Sequence, residues 1–183
     1  EALGSCTYIA SDKTGTLTVN QLTSRSIMIP SGESWHITGK SDEPEGEILT
    51  AENTLIENPL LERICLAAVL PNDGFLGQHN HSWVKHGDAV DVALLVMAHK
   101  NGITKSESLN NWPEVTTIPF ESEHLFSASL NTHNGEHYAF VKGAFEKLLP
   151  MCTTMATTNG DIDINTAQIE SYARELAKQG YRV

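Results

Sequence analysis

The dipeptide Asn134-Gly135 most constrains the fold. Both residues tolerate positive φ, which a tight two-residue hairpin turn requires. The flanking runs 126–131 and 138–142 are rich in apolar and aromatic residues and are expected to pair antiparallel through it. A third strand is expected over 115–120. Nearer the start, 26–29 and 34–37 flank Pro30-Ser31-Gly32 and predict another pair of strands. Residues 39–50, with Gly39, Pro44, Gly46 and several acids, read as a mobile loop.

Helices are expected between these strands. Asn58-Pro59 supplies an N-cap and a proline at the first helical position, and Leu60, Leu61, Ile64, Cys65 and Ala68 line one face as far as Leu70. Pro71-Asn72-Asp73-Gly74 ends that helix, and the polar stretch 75–86 reads as extended. Gly87-Asp88 opens a second helix with Val90, Ala93, Leu94, Met97 and Ala98 as its stripe and Asn101-Gly102 as its stop. A short helix is expected over 144–149, a turn at Asn159-Gly160, and a last helix from the Asn165 and Gln168 capping pair to Lys178. Strands joined mostly by hairpins, with helices added, make an α+β domain, an antiparallel sheet flanked by helices. Its 183 residues and 40% apolar content suffice for a core. No transmembrane helix is expected, since no run of 18 apolar residues occurs. The start, Glu1-Ala2-Leu3-Gly4, lacks the basic region of a signal peptide. Both ends read as cuts in a longer protein.

The stretch 8–18 carries the chemistry. Thr7, Tyr8 and Ile9 favour a strand, which would run into a loop presenting Asp12. Gly15 permits a tight turn, and Lys13, Thr14 and Thr16 suit phosphate and magnesium. A carboxylate so placed can attack a phosphoryl group.

Asp12-Lys13-Thr14-Gly15-Thr16-Leu17-Thr18 resembles the phosphorylation motif of the P-type ion-transporting ATPases residue for residue, and the flanks Ala2-Leu3-Gly4-Ser5 and Asn20 agree. Four further stretches resemble the same family: Gly87-Asp88-Ala89-Val90-Asp91-Val92-Ala93-Leu94, Pro119-Phe120-Glu121-Ser122-Glu123, Val141-Lys142-Gly143-Ala144 and Gly180-Tyr181-Arg182-Val183. The resemblance implies that residues 1–20 begin a haloacid-dehalogenase-like phosphorylation domain, contributing its first strand, and that 21–183 form the inserted nucleotide-binding domain. It also implies roles. Asp12 would take the γ-phosphoryl of ATP as an aspartyl-phosphate, Lys13 and Thr14 would assist, and Asp12 and Thr14 would hold Mg2+. Phe120 would stack on adenine, Asp91 would accept from the adenine amino group, and Lys142, Gly143 and Arg182 would meet the nucleotide. By residue type alone, Phe120 reads as core, Lys142 as a solvated lysine, and Asp88 and Asp91 as acids suited to a helix start. Asp91 is one methylene shorter than the family's Glu. Leu125 stands where the family commonly has Lys.

The implied parent is a membrane-bound, type II, calcium-pump-like cation ATPase with this chain on its cytoplasmic side. Its partners would be ATP and the remaining phosphorylation, actuator and transmembrane domains of the same parent chain. The heavy-metal pumps typically carry a His-Pro pair, which does not occur here. The alternative is a haloacid-dehalogenase-type phosphatase with a large cap. Such enzymes usually place an Asp proton shuttle two residues after the nucleophile, where this chain has Thr14. A third reading is a nucleotide-binding module without chemistry of its own, which fits the fragment, because the family's later magnesium motif is absent. The net charge of -11 argues against nucleic acid and anionic membrane surfaces as partners. Cys6, Cys65 and Cys152 lack metal spacing and are expected as buried free thiols in a reducing compartment. His79, His81 and His86 form a weak metal candidate in a polar, loop-like segment.

Overall fold

The computed structural model describes Tyr8, Ala10, Ser11 and residues 21–40, 43–80 and 82–183. The motif residues Asp12, Lys13 and Thr14, the strand expected around Ile9, Cys6 and His81 lie outside the described residues.

The Asn-Gly hairpin forms as expected. Asn134 (φ 51°) and Gly135 (φ 83°) are both left-handed, which is the type I′ geometry that matches strand twist. They join strands assigned here, with all others, in chain order: β1 Ser26–Met28, β2 Ser34–Ile37, β3 Ile48–Leu49, β4 Phe75–His79, β5 Ser82–His86, β6 Glu114–Ile118, β7 Phe126–His133, β8 Glu136–Gly143, β9 Thr154–Thr157 and β10 Gly160–Asp163. The helices are α1 Pro59–Val69, α2 Ala89–Lys100, α3 Lys105–Asn111, α4 Phe145–Leu148 and α5 Thr166–Lys178. Among the described residues all strand pairs are antiparallel, in sheets ordered β1-β2-β3 and β6-β7-β8 and hairpins β4-β5 and β9-β10. This is the α+β architecture expected.

The helix starts follow their caps. The Asn58 side chain accepts from Leu60 N at 2.9 Å, Asp88 from Val90 N at 2.8 Å, and Asn165 from Gln168 N at 3.1 Å. Each such cap contributes about 1 kcal/mol. α1 and α2 pack together, and their buried faces meet Ile27, Trp35, Ile37 and Ile48 of the first sheet. Trp35 is fully buried, with its indole N–H donating to Glu33 Oε1 at 2.7 Å. A large side chain so buried contributes about 1.5–3 kcal/mol.

Several elements differ from the sequence reading. The short α3 was not anticipated. Thr104 and Glu107 cap it reciprocally, Thr104 Oγ1 accepting from Glu107 N and donating to Glu107 Oε2 at 2.7 Å. Trp112 beyond it stacks on His133 with centroids 4.1 Å apart and meets Tyr138 and Phe140 edge-on, seating α3 on the second sheet. The stretch 75–86, read only as extended, is the β4-β5 hairpin. β6 stops at Ile118, short of the expected Phe120, because Pro119 has no N–H to donate. The segment 39–50 ends in β3, which completes the first sheet. The expected helix over 144–149 is α4 followed by a 3-10 turn, Leu149–Met151. Among the described residues no helix is long and apolar enough to cross a membrane.

Candidate functional site

The second sheet supports the site. Residues directly opposite on paired antiparallel strands share a face. On one face of β7 lie Ser127, Ser129 and Asn131, all buried, opposite Lys142, Phe140 and Tyr138 of β8. Each buried polar group is bonded: Ser127 Oγ donates to Pro71 O (2.9 Å), Ser129 Oγ to Asn131 Oδ1 (2.7 Å), and Asn131 Nδ2 to Trp112 O (2.8 Å). Lys142 therefore projects from β8 on the face turned toward the helices.

There it meets Asp91, which sits in the first turn of α2. Lys142 Nζ lies 2.6 Å from Asp91 Oδ1, with the two side chains only 15% and 12% exposed. A charge-assisted bond this short and sheltered is among the stronger polar contacts a protein makes. Its net contribution to stability is small, because desolvation offsets attraction; removing one partner is what costs. The structure thus brings together two candidate residues 51 positions apart.

Gly143 follows Lys142 at the end of β8. A Cβ there would collide with the Leu125 carbonyl and lie 2.6 Å from Phe126 Cβ, so glycine is required by close approach. The approach lets Ala144 N donate to Leu125 O at 3.0 Å. The Lys-Gly-Ala segment is in this way bonded to the loop that carries Phe120. In that loop His124 N and Leu125 N both donate to Glu121 O, at 3.0 and 2.8 Å. Leu125 takes φ 62°, a left-handed conformation that costs a branched residue about 1–3 kcal/mol. The residue is 43% exposed and lies outside the buried core. Phe120 is 52% exposed, which overturns the core reading that residue type alone favours.

Arg182 lies in the exposed segment 181–183 beyond α5. Among the described residues no hydrogen bond or ion pair links it to Lys142, Asp91 or the Phe120 loop. Nor, among the described residues, does any group of three His, Cys, Asp or Glu side chains stand together as a metal site. The sequence reading missed Asn72, Gly74 and Ser127. Asn72 and Gly74 read only as parts of a helix stop, yet Asn72 and Ser127 are each 1% exposed and fully bonded beside the Asp91–Lys142 pair. Phe75 stacks on His86, with centroids 6.1 Å apart, on the hairpin leading into α2.

The sequence profile of the P-type ATPase cytoplasmic domain N matches residues 60–183. The chain therefore belongs to the P-type ATPase family and carries its cytoplasmic domain N. It is 35% identical over 191 residues to the cation-transporting ATPase pma1 of Synechocystis, the match covering all of this chain and 21% of that protein. It is 34% identical to the probable cation-transporting ATPase F of Mycobacterium tuberculosis, covering all of this chain and 21% of the relative. The calcium-transporting ATPase type 2C member 1 of Homo sapiens is 29% identical over 98% of this chain and 20% of its own length. The chain thus spans about one fifth of the relatives it matches.

Proposed function

We propose that this chain is the ATP-binding part of a membrane-bound cation-transporting P-type ATPase, with residues 21–183 as the nucleotide-binding domain and 1–20 as the start of the phosphorylation domain. The observation that carries the reading is the half-exposed Phe120 on a loop bonded through Leu125 to the Lys142-Gly143-Ala144 segment. An exposed ring on a loop bonded to the segment that carries a sheltered ammonium suits a ligand with a flat base at one end and phosphates at the other. Stacking a base on such a ring contributes about 1–3 kcal/mol. Lys142 serves the phosphates, and Asp91, bonded to it, orients its ammonium. Gly143 lets backbone and ligand come close, and Arg182 adds a cation.

In the parent protein, Asp12 would accept the γ-phosphoryl group, assisted by Lys13 and Thr14. Mg2+ would be held by Asp12 and Thr14, neutralising phosphate charge. The parent's other phosphorylation, actuator and transmembrane segments would turn this into cation movement. The phosphatase alternative remains disfavoured by Thr14, which cannot shuttle a proton as a carboxylate does. The relatives are named as cation-transporting and calcium-transporting ATPases.

Calorimetric titration of the chain with ATP, ADP and adenosine tests the reading. Weak ATP binding is expected, in the millimolar range at about −4 kcal/mol, without turnover. Phe120→Ala should weaken ATP and adenosine alike, whereas Lys142→Ala should weaken ATP more. ATP binding that survives both substitutions would place the nucleotide elsewhere. In the full-length parent, Asp12→Asn should abolish the acid-stable label from γ-labelled ATP; persistent label would name another nucleophile.

A further inference from the structure

We propose that the buried turn at Pro71-Asn72 is a positioning element for the Asp91–Lys142 pair, with Asn72 and Ser127 as its working side chains. The proposal rests on the nucleotide-binding reading of that pair. Asp91 belongs to α2 and Lys142 to β8, and each is held by a different arm of the turn.

On the helix side, Asn72 Nδ2 donates to Ala68 O at the end of α1 and to Asp91 O, both at 3.0 Å. Its Oδ1 accepts from Gly74 N at 2.8 Å. A buried Asn after a helix ordinarily serves local backbone groups alone. Here one bond crosses to another helix and falls on the backbone of the residue that carries the carboxylate. The Lys105 ammonium donates to the Asn72 carbonyl and pins the turn from outside.

On the sheet side, Pro71 O accepts from Ser127 Oγ at 2.9 Å, and Ser127 is the cross-strand partner of Lys142. The contacts close on themselves, running from Asp91 through Asn72, Pro71, Ser127 and Lys142 back to Asp91. Two glycines let the turn come this near. Gly87 holds φ 118°, and a Cβ on it would lie 2.8 Å from Gly74 Cα; a Cβ on Gly74 would lie 3.2 Å from Asp91 Cβ. Aspartate has a short reach, so the backbone positions of its helix and of the strand opposite decide whether the 2.6 Å contact forms. Asn72 touches no reacting or bound group itself. It acts through Asp91 and, across the ring, through Lys142.

The test is a double-mutant cycle on the whole chain, read by ATP calorimetry and by thermal melts. Asn72→Ala should weaken ATP binding about tenfold, and Ser127→Ala, the milder variant, about threefold. In a Lys142→Ala background both losses should nearly vanish, because the turn acts through that lysine. Equal losses in both backgrounds, or a lowered melt with unchanged ATP affinity, would reduce Asn72 to a general structural residue and overturn the proposal. If Asn72→Ala does not fold, Ser127→Ala decides by the same criteria. If the unmodified chain binds no ATP, the nucleotide reading itself fails, and the melts judge the turn alone. The melting-temperature drop from Ser127→Ala should then shrink when Asp91 and Lys142 are both replaced by Ala; strictly additive drops would sink the proposal.

Discussion

In the β1-β2-β3 sheet the inward positions are Ile27, Trp35, Ile37 and Ile48; on the central strand of the β6-β7-β8 sheet they are Ser127, Ser129 and Asn131. The first set is held by apolar burial, which has no direction and tolerates small shifts. The second is held by hydrogen bonds, which have direction and lose strength when misaligned. The candidate site lies on the second sheet, where Lys142 continues the row begun by the bonded serines and asparagine. The other face of this sheet carries Ile118, Ala139 and Val141, all exposed. One region therefore supplies stability, and the other supplies fixed positions for polar groups.

The largest effect should come from the first region. Trp35→Ala should cost about 3–5 kcal/mol of stability, measured by denaturant unfolding. ATP affinity of the folded fraction should hardly change. A loss of affinity as large as the loss of stability would erase the contrast between the two regions.

The same interior holds Cys65, fully buried in α1, whose thiol burial pushes up from 9.0 to about 12. Above pH 9 the unfolded chain gives up this proton while the folded chain keeps it. The stability tied to the neutral thiol is thus fully present below pH 9 and lost as pH rises toward 12. Melts between those limits should decline less steeply in Cys65→Ala than in the unmodified protein. Identical slopes would mean the thiol is not sheltered.

In the second region, Asp91→Ala should destabilise by about 2 kcal/mol, because it strands a sheltered ammonium. Replacing Asp91 and Lys142 together should cost less than the two single changes summed. A strictly additive result would deny that the pair acts as a unit. Ser129→Ala, which removes one bonded hydroxyl from the row, should cost about 1 kcal/mol in the same melts. A neutral result would show that the row tolerates the loss of a directional contact.

The smallest effect is expected at the rim. Leu125→Lys should tighten ATP by about 1 kcal/mol, roughly fivefold, with the gain shrinking as salt is raised. Because Leu125 is 43% exposed, the melt should not fall. A lowered melt without tighter binding would end the idea that this position faces the nucleotide.

Much of the fold was legible because its punctuation is local. Asn58-Pro59, Asp88, Asn134-Gly135 and Asn165 each act on groups within a few residues, and each element begins or turns there. α3 was missed because Lys105–Asn111 is almost wholly polar and shows no stripe, although its Thr104 and Glu107 caps were readable. The β4-β5 hairpin was obscured by Gly77 and Gln78, weak strand formers, and by a turn whose signal among the described residues is the left-handed Asn80 (φ 48°). At the site, Asp91 and Lys142 were legible one at a time, through resemblance. Their pairing was not, since it depends on how α2 is set over the sheet. Asn72 was hidden for the same reason: its amide serves partners 4 and 19 positions away.

The slip in register between Glu114 and Thr116 has a consequence for how copies of this domain meet in concentrated solution. Among the described residues β6 is an outer strand with every residue exposed, and a backbone edge left unpaired there is an open invitation to a foreign strand. The irregularity at Val115 bends that row, and Pro113 and Pro119 bracket it with residues that have no N–H to give. A five-residue template that is both bent and interrupted seeds edge-to-edge polymers poorly, so among the described residues this sheet margin is protected by backbone shape and not by a covering element.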